Sequence, residues 1–309
     1  MEVVNSSGVT GRAQALVATI PQMLAEIPDR VDPADNRMRD AVDGAQLALT
    51  DKATWVFMAL GPYSFIEISR NAVEVLYSFS AGHIGYYEKL FAGRENLSGE
   101  FDTEDDPELA AFDKAIEWVH AEAVGTSVSD LPLELPAPDP DAPLESFEEK
   151  AFNIAYYAIH FHLLHELAHL YVFEGRELSD EERFAEEIDC DRLAVRWMKN
   201  MTPRDERDLR RIRAGIAFGL AYVAAQSVDR NSHDGLTHPK SYDRLINVLG
   251  EFFDPEDDAW AYPFAILTAH MTEKDLLPLP EGVQPEDGFP TFFDGARCYQ
   301  EVIRASDPG

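Results

Sequence analysis

Residues 160–175, HFHLLHELAHLYVFEG, restrict the fold more than any other stretch of the chain. Phe161, Leu164 and Leu167 put apolar side chains on the faces that flank the histidines, as in a helix that is buried on most sides. The stretch therefore predicts an internal helix. Its four histidines are either metal ligands or polar groups of an ordinary core helix, and residues elsewhere in the sequence have to distinguish these interpretations.

The sequence HELAH within this helix has the spacing of a zinc-binding pair. His165 and His169 are four residues apart, about 40° around the helix axis, so both imidazoles face the same side. Two neutral imidazoles can bind one Zn²⁺ at about 2.0–2.1 Å, and Glu166 is offset enough to reach a water instead of the metal. His162 lies one turn earlier on nearly the same side, whereas His160 points about 140° away from His165.

A catalytic zinc ion needs a third protein ligand, and FAEEIDCDRLAVRW (184–197) is the best source of one. Glu187 and Asp191 are four apart and share a helix face. Glu187 can then ligate the metal while Asp191 accepts a hydrogen bond from a ligand histidine, which fixes its tautomer. Glu186 is the rival ligand, and an ordinary acidic helix face is the alternative interpretation.

A histidine further along the chain is a candidate catalytic residue. His238 lies in a loop before a helix that begins near Pro239. A histidine in a cleft can donate a hydrogen bond to a developing oxyanion. A single loop histidine can equally be solvated.

The charge of the chain restricts its partners. Its formal net charge is −31, from 57 acidic and 26 basic side chains. A surface this negative repels the phosphates of nucleic acids and anionic lipids, so we expect neither as a partner. The two cysteines, Cys190 and Cys298, have no paired spacing, which is typical of a reducing compartment. The N-terminus lacks a secretory signal pattern, and the longest apolar run (214–228) is short for a bilayer, so we expect a cytoplasmic protein.

The apolar periodicity predicts a mainly α (α+β) fold. Helices are expected over residues 71–91, from Asp106-Pro107 onwards, and from a Ser179/Glu182 capping box towards Asn200. TWVFMALGPYSFIEIS (54–69) predicts a small antiparallel β-hairpin or sheet, with a kinked buried helix as the alternative.

The chain is expected to have two helical parts joined by a proline-rich segment. LPLELPAPDPDAPLES (131–146) cannot hold regular structure for long and predicts a loop or linker. Residues 1–130 then form an N-terminal helical region that includes the 54–69 hairpin, and residues 147–309 form the helical region that carries the motifs, within about 150–250.

Taken together, HELAH (165–169), EIDCD (187–191) and HPKSYDRL (238–245) resemble the zinc-site segments of the gluzincin class of zinc peptidases. The set is similar to the CAAX prenyl protease and HtpX-type family, and to the soluble phage-exclusion peptidases of the Lit type. The chain lacks the membrane spans of the first group, so the second is the closer match. The resemblance covers roughly residues 150–250.

The resemblance implies a zincin-like helical core and a role for each matching residue. It makes Glu166 the catalytic glutamate, Asp191 a hydrogen-bond partner of the ligands, and His238 and Arg244 neighbours of the cleft. The implied zinc ligands are His165, His169 and Glu187. This assignment depends on Asp191 being the aspartate that accompanies the glutamate ligand. If Asp189 were that aspartate instead, the glutamate ligand would be a different residue.

The leading hypothesis is a zinc-dependent endopeptidase that cleaves a protein or peptide substrate. A narrower version is a regulatory or phage-defence protease with one cellular target. The alternative is an acidic protein-binding module whose zinc is structural or absent. The sequence leaves the substrate and the oligomeric state open.

Overall fold

The computed structural model describes residues 2–5, 14–31, 36–50, 52, 55–60, 64–94, 106–123, 135–172, 178–201, 205–229, 241–253 and 266. These residues form one four-stranded sheet and eight helices. The strands are β1 (Glu2–Asn5), β2 (Gln46–Thr50), β3 (Phe57–Leu60) and β4 (Phe65–Ser69). The helices are α1 (Gln14–Val31), α2 (Asn36–Gly44), α3 (Arg70–Arg94), α4 (Pro107–Ala123), α5 (Phe147–Val172), α6 (Asp180–Asn200), α7 (Glu206–Asp229) and α8 (Ser241–Phe252).

The sheet has the strand order β1-β2-β4-β3. β2 and β4 are central, and their apolar side chains Leu47, Leu49, Ile66 and Ile68 are buried, as expected for strands covered on both faces. β3 pairs with β4 antiparallel, so the predicted hairpin lies within residues 54–69. The mainly helical fold with a small sheet is confirmed, but the sheet also contains two parallel pairs, β1–β2 and β2–β4.

Local capping interactions fix the starts of two predicted helices. The Asp106 carboxylate accepts hydrogen bonds from the N–H groups of Glu108 and Leu109 at the start of α4. Ser179 and Glu182 form the predicted capping box of α6, each side chain accepting from the backbone N–H of the other residue. Such caps satisfy N–H groups that have no partner within the helix.

α5 is the central helix of the fold. Its residues are buried almost continuously from Ala151 to Ala168, and it packs against α3, α6, α7 and β3. The approach of α7 is close because Gly215 faces Tyr157. A Cβ atom at Gly215 would lie 2.8 Å from the carbonyl carbon of Tyr157. α5 is therefore internal, as its sequence predicts, and it carries the histidines into the core.

The proline-rich segment has neither helix nor strand over residues 135–146, and α5 begins directly after it at Phe147. The division into regions 1–130 and 147–309 stays a prediction. None of the described helices combines the length and hydropathy that a membrane span requires.

Candidate active site

Three side chains from two neighbouring helices converge at one point. His165 and His169 come from α5, and Glu187 comes from α6. The two Nε2 atoms are 3.2 Å apart. Glu187 places Oε2 3.4 Å from His165 Nε2 and Oε1 3.5 Å from His169 Nε2. The cluster is largely withdrawn from solvent, with exposed side-chain fractions of 8%, 19% and 11% in the order named.

These distances fit the ligand set of a tetrahedral metal ion. Four ligands at about 2.0–2.1 Å from zinc lie about 3.3–3.4 Å from one another. The two Nε2 atoms are 3.2 Å apart, and each lies 3.4–3.5 Å from a different oxygen of the Glu187 carboxylate, close to that value. A His₂Glu set also leaves the fourth position open, as in catalytic zinc sites. The residues present therefore fit a bound Zn²⁺.

The electrostatics of the cluster favour a positive charge at the same point. Burial lowers the pKa of the His165 imidazole, but the carboxylates of Asp191 and Glu187 outweigh burial and raise that pKa to about 10. Burial raises the pKa of Glu187, but His165 and the charge of Arg244 outweigh it and hold that pKa well below its usual range. In the metal-free protein a proton on His165 supplies this charge, and a metal ion would displace it.

The far nitrogen of each histidine faces a carboxylate on α6. Nδ1 of His165 lies 2.9 Å from Asp191 Oδ1, and Nδ1 of His169 lies 2.8 Å from Glu186 Oε1. A carboxylate at Nδ1 holds the proton there and leaves Nε2 as the ligand atom. The sequence placed Asp191 in this role and treated Glu186 as a rival metal ligand, and Glu186 also lies close enough to His169 and Cys190 to form a second possible ligand group with them. Glu186 contacts the nitrogen that points away from Glu187.

Arg244 joins α8 to α6 behind the cluster. Its Nε and an NH2 group donate to both oxygens of Asp191, at 2.6 and 2.8 Å. A third guanidinium nitrogen lies 3.7 Å from Glu187 Oε2. Asp191 has no exposed surface, so its charge is balanced almost entirely by Arg244 and His165. Such bidentate Arg–carboxylate pairs fix orientation as well as charge.

Glu166 lies beside the cluster and contacts the sheet. Its Oε2 accepts a hydrogen bond of 2.7 Å from the main-chain N–H of Ala59 in β3. Only 9% of Glu166 is exposed. The sequence predicted Glu166 near the metal side of α5, but a main-chain donor from a strand 107 residues away has no sequence signal.

The other candidates of the sequence fall into different places. Asp189 is largely exposed and lies 3.7 Å from Arg192. This position gives no support to Asp189 as the aspartate that accompanies the glutamate ligand. His160 packs edge-on against Tyr156, away from the cluster. His162 of α5 is buried and packs against Phe57 of β3 and Trp55, which precedes that strand. His238 lies outside the described residues.

Cys190 was not singled out by the sequence as a site residue. It is fully buried, with Sγ 3.5 Å from His169 Nδ1. Burial and the surrounding carboxylates raise the pKa of its thiol, so the group is held as a neutral thiol. It packs the ligand helix without adding a charge to the cluster.

Comparisons with known proteins relate the chain to peptidases. A family model described as Peptidase U49 matches residues 66–265, which include all the described cluster residues except Ala59. The chain is also similar to a protein of Escherichia coli (strain K12) named Cell death peptidase, with 23% identity over 186 residues. That match covers 60% of this chain and 62% of the relative, so the chain spans about three-fifths of the relative's length. No solved structure matches the chain significantly.

Proposed function

The chain belongs to the Peptidase U49 family, and from that premise we propose that it is a zinc-dependent endopeptidase of the gluzincin type. The observation that carries the proposal is the convergence of His165, His169 and Glu187 at ligand-to-ligand distances of 3.2–3.5 Å. Glu166, the residue between the two histidines, supplies the carboxylate that peptide hydrolysis requires.

Zinc is the metal that this donor set favours. Two imidazoles and one carboxylate, with an open fourth position, are typical of catalytic zinc sites in peptidases. The proposed ligands are His165 Nε2, His169 Nε2 and Glu187. When bound, Zn²⁺ would polarise the scissile carbonyl and favour ionisation of the attacking water.

Side chains of the protein would then carry out the proton transfers and orient the metal ligands. Glu166 takes a proton from the attacking water as general base and delivers it to the nitrogen of the leaving amine as the C–N bond breaks. Asp191 and Glu186 hold the imidazoles in the tautomer that leaves Nε2 free, and Arg244 holds Asp191. His238 stays the proposed donor to the oxyanion.

Strand β3 provides a place for an extended substrate. It is one of the two edge strands of the sheet among the described residues, and it packs against α5 beside Glu166. An edge strand has unpaired main-chain groups, which an extended peptide can join by β-augmentation. This arrangement would carry a peptide past the cluster.

We propose protein as the substrate and the cytoplasm as the setting. The similarity to a protein named Cell death peptidase supports a narrow-specificity protease acting in regulation or phage defence. The sign of such specificity is a complete zinc site with no cleavage of generic substrates such as casein.

Metal content and cleavage together test the proposal. Elemental analysis should find about one zinc per chain in the wild type and little in His165→Ala or Glu187→Ala. Asp189→Ala is the matched control, because it removes an exposed carboxylate from the same helix and should keep the zinc. Glu166→Gln should retain zinc and lose cleavage.

Two outcomes would contradict it. Cleavage by Glu166→Gln at the wild-type rate would remove the proposed general base. A wild type that binds no zinc even after reconstitution would leave an acidic protein-binding module as the better reading of the −31 charge.

A further inference from the structure

The Glu166 carboxylate is held by a main-chain group of another element. The N–H of Ala59 donates to Oε2 at 2.7 Å. Within the described part of the chain, Oε2 of Glu166 accepts this hydrogen bond and Oε1 accepts none. The two oxygens of Glu166 are therefore in different environments.

The Ala59 N–H belongs to the free edge of β3. Val56, three residues earlier, faces β4, because its carbonyl accepts from the Ser69 N–H at 2.9 Å and its own N–H donates to Ser69 Oγ. Main-chain groups of an antiparallel edge strand alternate between the partner strand and the open side. Ala59, an odd number of residues from Val56, thus directs its N–H away from β4 and towards α5.

The strand that carries this donor is fixed against α5 and α7 by aromatic contacts. The Phe57 ring lies 5.4 Å from the His162 ring, and the Trp55 ring lies 5.8 Å from His162 and 4.6 Å from Tyr222. Because His162 and Glu166 are one turn apart on α5, these contacts place β3 beside the Glu166 carboxylate.

We propose that the main-chain amide of Ala59 positions the Glu166 carboxylate for its role as general base. This inference rests on the proposed peptidase function. The amide fixes Oε2, so that Oε1 is the oxygen that takes the proton from water. A base whose rotamer is locked in this way needs no reorganisation at the moment of reaction. The same N–H is then unavailable to a substrate strand, so a peptide paired with β3 receives no donor at Ala59.

Amide exchange tests the contact without any substrate. In residue-resolved hydrogen exchange, the Ala59 amide should be protected in the wild type although it faces away from β4. Glu166→Ala should speed its exchange by about tenfold or more, the loss expected from one charge-assisted hydrogen bond. The Ser69 amide, which donates to the Val56 carbonyl, is the internal control. Equal exchange of Ala59 in both proteins would overturn the proposal.

Proline substitution tests the role in catalysis. Ala59→Pro removes the N–H at a position that does not face the ladder, where an edge strand tolerates proline. Ala59→Gly retains the N–H and reports the effect of the lost methyl group and the added backbone freedom. With a single fluorogenic peptide that the wild type cleaves, selected from a quenched fluorescent library, kcat of the proline variant should fall about tenfold or more below that of the glycine variant, at similar KM.

The outcomes separate this proposal from the proposed function. Equal kcat for the two variants, with zinc retained in both, would overturn the positioning role and leave the zinc peptidase intact. Absence of zinc, or cleavage by Glu166→Gln, would remove the peptidase assignment itself, whatever the exchange rate of Ala59.

Discussion

Replacement of Asp191 by Asn should weaken both the fold and the metal site. Asp191 has no exposed surface and accepts two hydrogen bonds from Arg244, at 2.6 and 2.8 Å. Asn keeps the shape and one acceptor oxygen but removes the charge, which leaves the buried guanidinium with Glu187 at 3.7 Å as its nearest counter-charge. Breaking a buried ion pair from one side costs about 3–5 kcal/mol. Loss of the carboxylate behind a ligand histidine typically lowers metal affinity by about 10–100-fold.

Two measurements on the same proteins separate these effects. Urea unfolding of the metal-free chain gives the free energy of unfolding, and competition with a chromophoric chelator gives the zinc affinity. Asp189→Asn is the control, because it makes the same charge change at an exposed position of the same helix and should alter neither quantity measurably. If Asp191→Asn bound zinc within about twofold of the wild type, well short of the expected loss, Asp191 would have no part in holding the His165 ligand.

Three further predictions concern packing and protons. Gly215→Ala should lower the free energy of unfolding by about 1–3 kcal/mol, because the new methyl group meets the Tyr157 backbone; Gly44→Ala, in open space, is the control in thermal melts. Burial, with the charges of His165 and Arg244, lowers the pKa of His162 to about 3, so wild-type stability should fall as pH drops below 6.5 towards 3, where only the unfolded chain takes up the proton. Over that range, the free energy of unfolding of His162→Phe should fall by up to about 1.4 kcal/mol less per pH unit than that of the wild type, as measured by urea unfolding of the metal-free proteins. Parallel curves of unfolding free energy against pH for the two proteins would contradict a buried neutral imidazole. Zinc binding at pH 8 should release about one proton, since the pKa of His165 lies near 10 without metal; calorimetric heats that do not depend on the ionisation enthalpy of the buffer would contradict this.

Spacing on helices carried most of the information that the sequence held about the site. The four-residue repeats His165/His169 and Glu187/Asp191 define helix faces, and a face is a local property of the chain. The structure brings those two faces together. That Glu186 approaches the outer nitrogen of His169 depends on the rotation of α6 against α5, which no periodicity encodes.

The parts that the sequence missed are short or lie in the backbone. β1 and β2 contain four and five residues and are separated by two helices, too few residues for a period-two pattern to register. The donor to Glu166 is a main-chain N–H, which every residue except proline possesses. Sequence reasoning therefore named the side chains of the cluster and the hairpin that contains β3, but not the contact between them.

The wide separation of the contacting groups along the chain has a consequence during synthesis. Ala59 reaches Glu166 across 107 residues, and Arg244 reaches Asp191 across 53. A nascent chain that has not yet exposed α8 lacks the cation that balances Asp191 behind the ligands. The proposed protease would therefore complete its own hydrolytic machinery only after most of the polypeptide had left the ribosome and folded. Its unfolded segments, and those of neighbouring nascent chains, would be spared from premature cleavage.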